Sequence, residues 1–179
     1  MDTDTVLGEI LADKDYYGTE GGVTFSGGEP LLQADFLAEL TDACIASGIR
    51  CAMETSLWFF REDIFTRMQL IMADLKIWDG ETHRRYTGVS NERIRENFRR
   101  LNELGIPIIA RTPVIPEISQ GIPEISEFLR GLENVKKYEL LPYHPLGNAK
   151  LTALGMGSPS FTVPDKELMK ELNQHVFIR

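Results

Sequence analysis

The sequence predicts an α/β fold organised around a parallel sheet. Five short apolar runs alternate with amphipathic stretches of helical spacing along 179 residues. Such alternation implies right-handed βαβ crossovers. Two of the runs, Ile71–Ala73 and Ile106–Ala110, are apolar on both alternating faces. That is the pattern of strands covered on both sides, in a barrel or a doubly wound sheet. No linker, low-complexity segment or short repeat divides the chain, so it reads as one domain, long enough to bury a core.

The elements follow in order. An opening helix is expected from about Thr3 to Asp15, then a short strand, Val23–Phe25, running into the turn Ser26-Gly27-Gly28-Glu29-Pro30. Phe36, Leu37, Leu40 and Cys44 recur at helical spacing, and Gly48 stops that helix. Ile49–Thr55 reads as the second strand, Glu62–Met68 as a helix and Leu70–Ile77 as the third strand. A helix beginning at Ser90 or Asn91 carries Ile94, Phe98 and Leu101 on one face and ends at Gly105. Pro107–Val114 is the fourth strand. Pro123 suits the first turn of the next helix, which bears Ile125, Phe128, Leu129 and Leu132. Val135–Tyr143 is the fifth strand. Pro145 to Pro164 is loop-like, with Gly147, Gly155, Gly157 and Pro159. Asp165 caps a last helix bearing Leu168, Met169 and Leu172.

Composition narrows the function classes. Hydrophobic residues make up 42% and charged residues 26%, which is ordinary for a globular protein and excludes disorder. No apolar run has the length of a membrane span, and the N-terminus lacks a signal-peptide pattern. The net charge of −8 argues against nucleic acid or an anionic membrane as partner. Two cysteines, Cys44 and Cys51, make neither a disulfide framework nor a zinc site. Both read as buried thiols in a reducing, cytoplasmic compartment. Arg93, Arg95, Arg99 and Arg100, with Arg84 and Arg85 upstream, interleave with Glu92, Glu96 and Glu103. They read as a solvated, salt-bridged face, Glu96–Arg100 having i,i+4 spacing.

Polar residues interrupt the apolar runs at the C-terminal ends of the strands, where parallel α/β folds bind ligands. These are Gly27-Gly28-Glu29, then Glu54-Thr55-Ser56, then Asp74 and Lys76, then Arg111 and Thr112, then His144. The glycine pair lets backbone groups approach a ligand closely. Met72, Asp74 and Lys76 share one face of their strand, and Ile71, Ala73, Leu75 and Ile77 take the other. Same-face neighbours lie roughly 7 Å apart, so a shared ligand is preferred over a direct Asp74–Lys76 ion pair. Glu54 stands on the neighbouring strand, within reach of the same pocket or at a solvated strand end. Pro142 and Pro145 restrict the loop around His144. His83 and His175 are expected on helix faces without a partner.

The segment Gly21-Gly22-Val23-Thr24-Phe25-Ser26-Gly27-Gly28-Glu29-Pro30 resembles the Gly-Gly-Glu region of radical S-adenosylmethionine (SAM) enzymes. It is most similar to the glycyl-radical-enzyme activating enzymes, of the kind that serves pyruvate formate-lyase. Met72-Ala73-Asp74-Leu75-Lys76 resembles their D-x-K strand, and Glu54-Thr55-Ser56 falls where their acidic motif lies. Leu140-Leu141-Pro142-Tyr143-His144-Pro145-Leu146-Gly147 resembles their L-P-Y-H-x-L-G motif. The four matches keep their order from about residue 21 to 150.

The resemblance implies a partial TIM-like parallel β/α barrel of five or six βα units. Residues 1–20 would hold the leading helix, 21–150 the βα units, and 151–179 a loop and the C-terminal helix. It implies that Gly27, Gly28 and Glu29 hold the methionyl amino group of SAM through backbone groups. Lys76 would pair with its carboxylate, Asp74 and His144 would contact the amino or ribose part, and Arg111 would be pocket wall. Glu54, Thr55, Met72 and Asp74 occupy positions that hold a monovalent cation in a relative, with Glu54 replacing an aspartate. The family's four-iron four-sulfur cluster sits on a C-x-x-x-C-x-x-C loop before the Gly-Gly-Glu strand. This chain has no such loop, and Cys44 and Cys51 come too late to replace it. The resemblance therefore implies the C-terminal portion of a longer enzyme, inactive alone and open, prone to self-association, on one side of its barrel. The whole enzyme would cleave SAM reductively and install a glycyl radical on a partner enzyme, with flavodoxin or ferredoxin as electron donor. Two other readings of the residues stand: a lyase or aldolase forming a Schiff base on Lys76, and a non-catalytic, degenerate barrel binding a ligand or partner.

Overall fold

The computed structural model describes residues 2–147, 152–155, 157 and 161–179. Among them six strands form one sheet in chain order. Strands β1 (Gly22–Phe25), β2 (Arg50–Thr55), β3 (Leu70–Asp74), β4 (Ile108–Val114) and β5 (Val135–Pro142) are parallel. A two-residue strand, β6 (Phe177–Ile178), adds antiparallel to β5. The connecting helices are α1 (Thr3–Ala12), α2 (Ala34–Ala46), α3 (Glu62–Phe65), α4 (Gly80–Thr87), α5 (Glu92–Glu103), α6 (Ile122–Arg130) and α7 (Lys166–Leu172). The sheet is open: β1 and β6 are its two ends.

Each expected strand is present, and local chemistry explains the helix starts. Asp2, Asp79 and Asp165 each accept a hydrogen bond from the backbone N–H three residues on, at 2.8 Å. Such caps satisfy donors that a first helical turn leaves unpaired. Two elements escape the sequence patterns. Helix α4, GETHRRYT, is too polar to show an apolar stripe. Strand β6 is two residues long and exists only because β5 lies beside it. Pro159, expected in the late loop, lies outside the described residues, as do the boundary residues 150 and 151.

The sheet is not covered on both sides. Cys51 and Met53 of β2, Ile71 and Ala73 of β3, and Ile108, Ala110 and Val114 of β4 are buried in one cluster. Leu37 and Leu40 of α2, Phe98 and Leu101 of α5, and Ile125 and Leu129 of α6 complete it. The alternate positions, Ala52, Glu54, Met72, Asp74, Ile109 and Arg111, are only half-buried. One face carries the core. The other is a polar floor, because the strand period of two separates the sets.

At Gly22 the β1–β2 pairing leaves no room for a side chain. An added Cβ would sit 2.1 Å from the Arg50 carbonyl oxygen, in register across the pair. Gly22→Ala is therefore expected to destabilise by about 1–3 kcal/mol, the usual cost of overpacking. A urea midpoint equal to wild type would refute that expectation.

The arginines of α5 form the expected exposed, salt-bridged face and also stack on neighbouring rings. Arg93, Arg95, Arg99 and Arg100 lie over the rings of Trp58, Trp78, Phe128 and Phe60, at 4.8, 4.6, 5.3 and 3.6 Å from the ring centres. Glu96 pairs with Arg99 at 3.1 Å, not with Arg100. Aromatic rings beside the helix attract the guanidinium faces, a contact invisible to i,i+4 spacing.

Candidate functional site

The site is built at the C-terminal edge of the sheet, beginning with the turn after β1. Gly27 has a φ of +126°, which side-chain-bearing residues rarely adopt, and a Cβ at Gly27 or Gly28 would meet nothing within 4 Å. The turn thus shows bare backbone to open space. Glu29 braces the turn against the end of β2. Its carboxylate accepts from Thr55 Oγ1 at 2.8 and 3.0 Å, Ser56 N at 2.9 Å, Ser56 Oγ at 2.6 Å and Leu31 N at 3.4 Å. Glu29→Gln would place an amide N–H against these donors. Hydrogen bonds to charged groups are worth about 1.5–3 kcal/mol, so a loss of that size is expected. A thermal midpoint unchanged from wild type would count against it.

The polar floor is an ion-pair network. Arg111 Nη1 donates to Glu54 Oε1 at 2.6 Å, and Arg111 Nε donates to Asp74 Oδ1 at 3.3 Å. Ser26 Oγ donates to Glu54 Oε2 at 2.7 Å. Lys76 Nζ lies 3.2 Å from Asp74 Oδ2. Lys137 and Glu139 of β5 pair with each other. Register explains the contacts, since Asp74 faces Arg111 across β3–β4, and Arg111 faces Glu139 across β4–β5. The Ser26 hydroxyl, then the Arg111 guanidinium, hold the Glu54 carboxyl below its ordinary range. Burial alone would lower Arg111, but Glu54 and Asp74 outweigh it and the shift is upward.

One expectation is corrected by this network. Asp74 and Lys76 do make a direct ion pair: strand β3 ends at Asp74, and the long lysine arm folds back over the two-residue spacing. Of the four expected cation positions, Glu54, Thr55, Met72 and Asp74, the structure brings the Glu54 and Asp74 carboxylates together at one guanidinium. Thr55 points to the buried face and is spent on Glu29, while Arg111 already lies against both carboxylates. Among the described residues no group of three or more His, Cys, Asp or Glu side chains has metal-holding geometry.

A cleft of about 300 Å³ opens beside this network. Glu29, Ser56, Trp58, Phe59, Asp74 and Lys76 line it, together with His83 and Thr87. It lies at the lower end of the usual range for small-molecule pockets. A larger, more apolar cleft of about 440 Å³ flanks the other side of Lys76, walled by Tyr86, Ile115, Ile118 and Phe161. Turn, second strand end and third strand end thus meet where the polar interruptions place them. His144, two residues beyond β5, is exposed. Among the described residues no hydrogen bond or ion pair joins it to Asp74, Lys76 or Arg111.

Sequence reasoning missed Trp58, Phe59 and above all His83 as wall residues. His83 is buried and hydrogen-bonded to Val89 and Thr87, not a partnerless helix-face residue. The signals were Asp79 and Gly88, which cap the two ends of α4. His175 is half-exposed, in a 3₁₀ turn after α7, and it too has a partner, its Nε2 lying 3.4 Å from Gln174 Nε2.

The thiols do not fit an iron–sulfur cluster. Cys44 and Cys51 are both buried in the core. Burial raises Cys44, and it pushes Cys51 up to about 12. Cluster ligands are thiolates, and neither group lies at the rim.

Comparison with known proteins accords with this geometry. The sequence profile described as the Radical SAM superfamily matches residues 1–129. The chain is 38% identical over 165 residues to the (2S)-3-sulfopropanediol dehydratase activating enzyme of Klebsiella oxytoca, covering 87% of this chain and 52% of that protein. It is 35% identical over 188 aligned positions to the pyruvate formate-lyase-activating enzyme of Staphylococcus epidermidis, covering 97% and 75%. The chain thus spans about half the length of the first relative and three quarters of the second. The crystal structure of a domain of pyruvate-formate lyase-activating enzyme from Bacteroides vulgatus superposes with a TM-score of 0.71 at 30% identity, covering 86% of this chain and 91% of that one. Streptococcus suis SuiB shares the fold, with a TM-score of 0.74 at 18% identity over 98% of this chain and 39% of its own. The open, parallel-dominated sheet is the partial barrel of this superfamily. The chain belongs to the radical SAM superfamily, among its activating enzymes.

Proposed function

We propose that this chain is the SAM-binding part of a glycyl-radical-enzyme activase. One observation supports the reading most: Glu29, Ser56, Asp74 and Lys76, from three successive strand ends, line a single cleft. SAM supplies the 5′-deoxyadenosyl group with which such an enzyme takes hydrogen from a glycine of its partner. The residues' work is to bind and orient it. The open Gly27-Gly28 backbone receives the methionyl amino group, Lys76 turns from Asp74 to the carboxylate, and Asp74 accepts from the amino or ribose part. His144 closes over the ligand from the β5 side. Arg111 holds Glu54 and Asp74 in place. The cluster is held by thiolates other than Cys44 and Cys51, so these 179 residues alone are inactive. The partner is a glycyl radical enzyme, supplied with electrons by a flavodoxin- or ferredoxin-like donor, and the setting is cytoplasmic.

A Schiff-base lyase is not favoured, because that reading leaves the open Gly27-Gly28 turn without a task. Isothermal titration tests the proposal. SAM is expected to bind this chain with one site, and ATP, which lacks the amino-acid end, is not. Equal binding of both, or of neither, would overturn it.

A further inference from the structure

His83 sits in α4 and is only 2% exposed. Its Nδ1 lies 2.6 Å from the Val89 carbonyl oxygen. A carbonyl only accepts, so Nδ1 carries the proton and Nε2 has a free lone pair. The Thr87 hydroxyl, 2.9 Å from Nδ1, sits 2.8 Å from the His83 carbonyl, to which it gives its own proton. Among the described residues Nε2 has no hydrogen-bond partner. The ring forms part of the cleft wall with Glu29, Ser56, Asp74 and Lys76. Burial, then the neighbouring Lys76 ammonium, holds the imidazole below its ordinary 6.5, although the Val89 bond opposes this. At neutral pH the group is therefore an uncharged acceptor.

With Nδ1 taken by Val89, Nε2 is the ring nitrogen left to the cleft that His83 helps to line. We propose that His83 is a ligand-binding residue, its Nε2 accepting a hydrogen bond from an N–H or O–H group of the ligand whose carboxylate lies on Lys76. The proposal rests on the SAM-binding reading and extends it. A cationic lysine and a neutral imidazole side by side discriminate well. The first takes an anion, and the second takes a donor and gives nothing back. Val89 and Thr87 fix the tautomer, as partners of one ring nitrogen do for the other. The loop between α4 and α5 thereby sets the chemistry of the cleft.

Two substitutions separate this role from a purely structural one. His83→Asn keeps an N–H near Nδ1 for Val89 and has nothing at Nε2. His83→Gln carries an acceptor oxygen near the Nε2 position and gives up the Val89 bond. SAM binding to the 179-residue chain is measured by titration calorimetry, with the thermal midpoint beside it. His83→Asn is expected to weaken SAM about tenfold, the worth of one hydrogen bond, with a near-native midpoint. His83→Gln is expected to lower the midpoint yet bind within about threefold of wild type, since its acceptor remains. Native affinity in His83→Asn with weakened binding in His83→Gln would show that the histidine only pins the loop. Should either variant fail to fold, ¹⁵N NMR of the wild-type imidazole decides. Nε2 must be the unprotonated nitrogen, and its resonance must move on adding SAM. A stationary resonance under saturating SAM overturns the proposal. Wild type that binds no SAM fails both readings, whereas binding lost in Lys76→Met and kept in His83→Asn fails this one alone.

Discussion

Lys76→Met is expected to weaken SAM binding tenfold to a hundredfold and to leave the fold intact. The ammonium is the cation that the cleft offers to a ligand carboxylate, since the Arg111 guanidinium is already committed to Glu54 and Asp74. Losing a charge-assisted hydrogen bond costs about 1.5–3 kcal/mol, and each 1.4 kcal/mol is tenfold in affinity. Stability barely moves, because Lys76 is 37% exposed and its pair with Asp74 is one that solvent screens. Methionine keeps the apolar stem, so packing is conserved. Calorimetry with SAM, read beside a urea melt, separates the two quantities. Unaltered affinity would remove Lys76 from the ligand and with it the proposed orientation.

Arg111→Leu carries the other large effect, and it falls on stability. Arg111 is 16% exposed and stands between Glu54, 34% exposed, and Asp74, 23% exposed. Without it two carboxylates face each other across half-buried β-sheet. Removing one partner of a fully buried pair costs about 3–5 kcal/mol. The remaining exposure discounts that to about 2 kcal/mol at pH 7.

The pH dependence has opposite signs in the two proteins. In wild type the Glu54 carboxyl is depressed below its ordinary 4.5. Its contribution is present above 4.5 and is lost as pH falls through the depressed value. In Arg111→Leu like-charge repulsion raises one carboxyl above its ordinary range. The folded form then binds that proton more tightly than the unfolded chain, so stability recovers as pH falls. The gap in urea midpoints should therefore narrow between pH 7 and pH 4.5. A gap that stays constant or widens would mean that the guanidinium does not hold the carboxylates together.

Much of the fold was legible because its signals are local. Alternation places Ile71 and Ala73 on one face of β3 and Met72 and Asp74 on the other whatever the strand packs against. The capping aspartates at Asp2 and Asp165 act within three residues. Helix α4 carried only its capping signals, Asp79 and Gly88, because a polar helix of eight residues has no apolar stripe, and β6 was illegible because two residues have no period. The expectation that both sheet faces are covered failed for a related reason. An apolar run shows what a strand tolerates, not what lies over it.

The candidate site divides the same way. That Glu29, Glu54, Asp74 and Lys76 lie at or just beyond strand ends is a property of the sequence, because each follows an apolar run, whereas Arg111 stands in the middle of β4. Their partners are not. Arg111 meets Asp74 across 37 residues and Glu54 across 57, and those contacts depend on strand order and register. The side chain of Thr55 was likewise claimed by Glu29, 26 residues away. His83 entered the site only because α4 folds beside the end of β3. The sequence by itself determined which groups stand at the rim, since strand periodicity is local. Tertiary structure decided which charges neutralise one another and which atom is left for a ligand, since pairing energy falls steeply with distance and burial, and neither exists until the strands align.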